Sequence, residues 1–129
     1  MPFMHKNTPS SGLTNPAAAA ETVVYTTPAL VAGVGQSPVD ISGTINITPG
    51  TAATAAIVRV RQAGLTGTLL SASPSHTVVA GAPQSISFGA TDATTYLQSV
   101  GGGVYVVTLQ MTAATGATTV NALDVGVSE

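Results

Sequence analysis

Between residues 39 and 48 the chain alternates in character. Val39, Ile41, Ile45 and Ile47 are apolar, and Asp40, Ser42, Thr44, Asn46 and Thr48 between them are polar. Successive side chains of a pleated strand point to opposite faces, so a period of two gathers all four apolar residues on one face. A helix would scatter them around its axis. The segment reads as a half-buried strand, and half-burial requires a second layer over its apolar face. Gly43 falls on the apolar side in mid-run. A missing side chain there points to a bulge or to the close approach of another group.

Further strands are expected over Thr22–Thr26, Ile57–Gln62, Thr68–Ser71, His76–Ala80, Gln84–Phe88, Val104–Ala113 and Thr118–Val127. They are rich in Val, Ile, Thr and Tyr, residues that fit a pleated surface. Turns are expected at Pro49-Gly50, Ser73-Pro74-Ser75, Gly81-Ala82-Pro83 and Ala114–Ala117. Ile86 and Phe88, then Tyr105, Val107, Leu109 and Met111, then Leu123, Val125 and Val127 fall in phase as inward-facing sets. Residues 89–100 read as a long polar loop with one short turn. No segment keeps a helical period beyond two turns, and a parallel sheet would need crossover helices. The pattern predicts an all-β protein of seven to nine antiparallel strands, a sandwich or a barrel.

A length of 129 residues fits one domain. Residues 21–129 form the expected β-domain, and residues 1–20 an extended N-terminal arm broken by Pro2, Pro9 and Pro16. Asn15 to Glu21 has the makings of one helical turn, with Asn15 as cap and Pro16 at the first helical position. One turn is too short to stand alone. The arm is read either as a flexible leader or as a segment that docks on a neighbouring subunit. Gly33-x-Gly35 lacks the third glycine and the flanking helix of a nucleotide loop. No apolar core of a secretory signal follows Met1, and no run approaches the roughly 18 apolar residues of a membrane span.

Only 6% of residues are charged, where a soluble domain commonly carries about 25%. Lys6, Arg59 and Arg61 are the bases; Glu21, Asp40, Asp92, Asp124 and Glu129 are the acids. Polarity must come from neutral side chains, among them 20 threonines. No basic stripe exists, which argues against nucleic acid as a partner. The absence of cysteine excludes disulfides and thiolate chemistry. His5 and His76 have no companion ligands at metal-binding spacing, so neither metal nor other cofactor is expected. The carboxylates are dispersed and no nucleophile elbow occurs, so the chain does not read as an enzyme. Two Phe, three Tyr and no Trp make a thin core. Such a subunit is expected to gain stability from neighbours, because aromatics bury the most area per residue.

Arg59 and Arg61 lie on one face of their strand, opposite Val58 and Val60. Two guanidinium groups on one face need partners. Asp40, Asp124 or Asp92 could serve within the chain; a neighbouring subunit or a host surface is the alternative. Leaving both buried and unpaired is excluded by its cost, several kcal/mol each.

Four segments in order carry a family resemblance: Val39–Ile45, Ile57–Arg61, Gln84–Phe88 and Tyr105–Leu109. With them, residues 21–129 resemble the small jelly-roll proteins that decorate or cement the capsids of tailed bacteriophages as trimers. The same order is similar to tumour-necrosis-factor-like sandwiches. The resemblance implies a jelly-roll β-sandwich without catalytic residues, which assembles with itself as a homotrimer. It implies binding to a major capsid protein on the outer capsid surface of a virion, after synthesis in the host cytoplasm. Contact residues expected on this reading are Phe3, His5 and Lys6 of the arm, Arg59, Arg61 and Tyr96. The alternative reading is a receptor- or carbohydrate-binding head of a phage fibre or tail protein, with Tyr96 as the ring on which a sugar stacks.

Overall fold

A computed structural model describes residues 4–7, 20–30, 38–50, 54–79, 81–94, 96–97, 102–111 and 118–128. Phe3, the proposed turn from Asn15, the Gly33-x-Gly35 pair and the turn at Ala114–Ala117 lie outside the described residues.

Nine strands are present: β1 (Met4–Asn7), β2 (Thr22–Thr26), β3 (Val39–Thr48), β4 (Thr54–Gln62), β5 (Leu69–Ala72), β6 (His76–Val78), β7 (Gln84–Asp92), β8 (Tyr105–Met111) and β9 (Thr119–Ser128). Pairing is antiparallel throughout and nested: β1 with β9, β2 with β8, β3 with β7, and β4 with β5 and β6. One long hairpin doubled back at the β4–β5 turn would make these pairs. Rolling it up adds two more, β3 with β9 and β4 with β8. The result is two sheets, β1-β9-β3-β7 and β2-β8-β4-β5, with β6 beside β4. Nested pairs rolled into two sheets are the two Greek keys of a jelly roll.

The core lies between the sheets, where the period-two sets meet. Ile41, Ile45 and Ile47 of β3 face Val58 and Val60 of β4 and Tyr105, Val107 and Leu109 of β8, all buried. Leu123, Val125 and Val127 complete the layer from β9. Each large aliphatic side chain so buried contributes about 1.5–3 kcal/mol before entropy is charged against it. Gly43 sits where a side chain cannot. A Cβ there would run into the carbonyl of Asp124 and the ring tip of Phe88. The glycine marks a close approach, one of the two outcomes its place in the strand allows.

Three local expectations change. Within residues 1–20, Met4–Asn7 form a strand that pairs with Asn7↔Val125 through Met4↔Ser128 at the sheet edge; backbone pairing supplies what the side-chain pattern there does not show. β7 runs on to Asp92 instead of ending at Phe88. Its last four residues, Gly-Ala-Thr-Asp, are poor strand formers, but β3 supplies an unbroken partner from Val39 to Ile47. β8 is buried on both faces, Val106 and Thr108 included. Tyr96 and Leu97, in the β7–β8 connection, have helical backbone.

Candidate functional site

The outer face of the β2-β8-β4 sheet carries the chain's charge cluster. β4 points Val58 and Val60 inward, so Arg59 and Arg61 point outward beside β8. The acid that meets them is Glu21, immediately before β2. Arg61 donates from Nε to Glu21 Oε2 at 2.6 Å and from Nη2 to Oε1 at 3.0 Å, a two-pronged contact. Arg59 Nη1 lies 3.4 Å from Oε1 and donates at 2.7 Å to Gln110 Oε1. The Thr108 hydroxyl donates to Oε2 at 2.8 Å. The three charged side chains are 17–19% exposed, so water still screens the cluster in part.

This overturns one sequence expectation. Asp40, Asp124 and Asp92 are not the partners of the arginines. Asp40 accepts from the Thr91 hydroxyl, and Asp92 is held elsewhere. Glu21 is the last residue of the expected helical turn. It is brought in because β2 lies beside β8 and β8 beside β4, a neighbourhood that local sequence does not display. Gln110 and Thr108 were missed for the same reason.

The hydrogen bonds from Arg61 hold the Glu21 carboxyl below its usual range; burial opposes them, and Thr108 and the charges of both arginines assist. The Arg61 guanidinium is raised in turn by that bond. Arg61 also donates from Nη1 to the Gly67 carbonyl at 3.1 Å. It therefore ties the start of β2 to the β4–β5 turn. That turn is tight: Ala63 takes a positive φ of 65°, and a side chain on Gly67 would meet the Gln62 carbonyl.

A second polar cluster lies at one end of the sandwich. Asp92 is buried at the end of β7. It accepts from the Tyr105 hydroxyl at 2.8 Å, Gln62 Nε2 at 3.0 Å, Thr94 Oγ1 at 2.6 Å and the Thr94 amide at 2.9 Å. Burial raises its carboxyl, but these donors together outweigh it and the carboxyl sits below its usual range. Every one of these donors is neutral. Tyr96 packs its ring edge-on to Tyr105, with centroids 5.5 Å apart, and donates its hydroxyl to the Val104 carbonyl at 3.0 Å. The ring is half-buried and is used to hold the β7–β8 connection.

The structure thus brings Arg59 and Arg61 together, with Tyr96 on a different part of the molecule. His5 and Lys6 lie on β1, opposite Val127 and Gly126 of β9. Among the described residues no group of three or more acids and histidines is placed to hold a metal, and no helix is long and apolar enough to cross a membrane. Both organised carboxylates spend their lone pairs on donors of the same chain. Their chemistry is that of fastening strands.

No family model matches this chain, and no curated protein matches it. Solved structures do. The structure of the infectious bursal disease virus Gx strain is similar over 100% of this chain and 32% of its own, with a TM-score of 0.67 at 10% identity. The T13 particle of the same virus is similar over 98% of this chain and 31% of its own, with a TM-score of 0.65 at 8% identity. The VP2 subviral particle of that virus gives 0.64 at 9% identity, over 98% of this chain and 33% of its own. The chain spans about a third of the length of the virus proteins it matches. At such identities the likeness is one of fold: this β-sandwich is built as a domain of a virus-particle protein is built.

Proposed function

We propose that this chain is a structural protein of a virus particle, a jelly-roll subunit that associates with itself and covers a capsid. The observation that carries the reading is the likeness of fold, over the whole of this chain, to part of virus-particle proteins. Fold alone does not define function, so the chemistry of the chain has to agree, and it does. Both organised carboxylates serve the fold, and the chain is poor in charge and rich in threonine. Such a composition suits packing against other proteins, where charged side chains are depleted at interface centres.

The finer reading is a decoration or cement protein of a tailed-phage shell, bound to the major capsid protein as an oligomer. Residues 1–20 are the proposed shell-binding arm, with Phe3, His5 and Lys6 among its contacts, and residues 21–129 the sandwich. The test adds the purified full-length chain, or its Phe3→Ala/His5→Ala/Lys6→Ala variant, to shells that lack the protein, and follows co-sedimentation and heat release. The unaltered chain is expected to bind and to raise the temperature of shell disruption, and the variant, with an unchanged circular dichroism spectrum, to bind more weakly. Full binding by the variant would sink the arm assignment; no binding by the unaltered chain would sink the decoration role.

A further inference from the structure

The four sheet edges of this sandwich are not protected alike. An edge strand offers a row of unpaired backbone groups to any other strand, and natural proteins blunt such edges by shortness, bulges, proline or charge. β1 is only four residues long and carries Lys6. β2 has five residues, with a register shift between Val23 and Tyr25. The edge beyond β4 is broken into β5 and β6, of four and three residues, by Ser73-Pro74-Ser75. β7 has none of these devices. It is nine residues long, it pairs with β3 without a register shift, and it is uncharged from Gln84 to Thr91. Among the described residues, no strand pairs with its other edge.

A second observation points to the same side of the molecule. The exposed large hydrophobic residues, among those described, are Leu65, Leu69 and Val79. Leu65 lies in the β4–β5 turn, Leu69 on β5 and Val79 just past β6; of these elements β5 packs against β7 across the sandwich. Between the two edges runs an open groove of about 520 Å³, lined by Leu70 and Ser71 of β5, Gly89, Ala90 and Thr91 of β7, and Asp40, Ile41 and Ser42 of β3. An unblunted strand and a β5 edge that carries exposed Leu69 thus border one groove.

We propose that this flank is where two copies of the chain join, their β7 strands pairing antiparallel about a two-fold axis. The occupant is a second copy because the strand is complementary to itself. Pleat parity requires that residues facing one another point to the same side of the sheet, so the axis must pass at a residue position. The centre of β7 is Phe88. That register sets Ser87 opposite Gly89, Ile86 opposite Ala90 and Ser85 opposite Thr91 of the second copy. No charge opposes a like charge, and the outward side chains in contact are all small. The four-stranded sheet then runs on into that of the second copy. A strand pair alone covers less than the roughly 1,200 Å² of a stable interface, so exposed Leu69 of the β5 edge supplies apolar area to the contact. The contact is independent of shell binding: a chain that pairs through β7 but ignores shells would refute the proposed function and leave this pairing intact.

The chain has no cysteine, so disulfide trapping has no background. Ser87→Cys/Gly89→Cys is the test variant. A Cβ on Gly89 meets nothing nearer than 3.8 Å, so the variant fits the fold. Mild oxidation of the folded full-length chain is expected to give a covalent dimer at least tenfold faster than Thr44→Cys, an exposed position in mid-sheet. In sedimentation the unmodified chain should associate. Ser87→Lys should weaken that association at least tenfold, with an unchanged circular dichroism spectrum, because the axis brings the two substituted positions near one another. Trapping no faster than in the Thr44→Cys control overturns the proposal, as does a chain that stays monomeric or whose association ignores Ser87→Lys.

Discussion

Glu21 and Asp92 are both carboxylates held below their usual range, yet they are held by opposite means. Glu21 sits on the outer face of a sheet, partly wet, between two guanidinium groups. Asp92 is buried at the end of the sandwich and meets only neutral donors, a phenol, an amide, a hydroxyl and a backbone N–H. The first is an ion pair that bulk water weakens. The second is a desolvated anion whose stability depends on every donor staying in place. A chain with so few charges thus uses one acid to clamp a sheet face and another to close an end.

The difference is sharpest when each acid is made neutral. Asp92→Asn turns one acceptor oxygen into a donor among donors, and should cost about 3 kcal/mol in urea unfolding. Tyr105→Phe removes a single donor from the same cluster and should cost about 1–2 kcal/mol. Glu21→Gln leaves two arginines that can still reach water, and should cost about 1 kcal/mol. Equal losses for Asp92→Asn and Glu21→Gln would erase the distinction. Salt separates the clusters again. In about 1 M salt, where screening acts over roughly 3 Å, the Glu21→Gln penalty should shrink, while the Tyr105→Phe penalty stays.

Both acids make the fold sensitive to low pH, and the sign follows from their lowered values. Each folded carboxyl binds its proton less readily than its unfolded counterpart. The stability they add is present above the unfolded values, near pH 4, and is lost as pH falls through the folded ones. Unfolding by urea at pH 6 and at pH 3 should show this loss. Glu21→Gln and Tyr105→Phe should each flatten the profile. An unchanged profile in both variants would mean that other groups set the acid response.

Much of the fold was legible because alternation is a local signal. β2 coincides with its expected bounds, and the inward residues of β3, β8 and β9 are those in phase in the sequence. Gly43 stood out for the same reason. What was not legible depends on neighbours. The partner of Arg59 and Arg61 is about forty positions away, and only the nesting of β2, β8 and β4 brings it near. β1 pairs through its backbone, so its side chains gave no cue. Nothing local shows that Tyr96, in an expected loop, bonds the Val104 carbonyl and packs against Tyr105.

That the arginines serve the fold has a direct consequence. Arg59→Gln/Arg61→Gln should lower stability by about 1–2 kcal/mol and leave the purified chain's affinity for shells unchanged. A large loss of affinity with stability intact would make the pair a binding strip after all.

The proposed role makes the chain a repeated component of a particle's shell. Imaging of particles from cells that express it, with its copies located on the shell, tests this most directly. The expected result is density of this size recurring at equivalent positions over the whole capsid surface. Density confined to a single vertex or to tail fibres, or no copies on the particle at all, would contradict it.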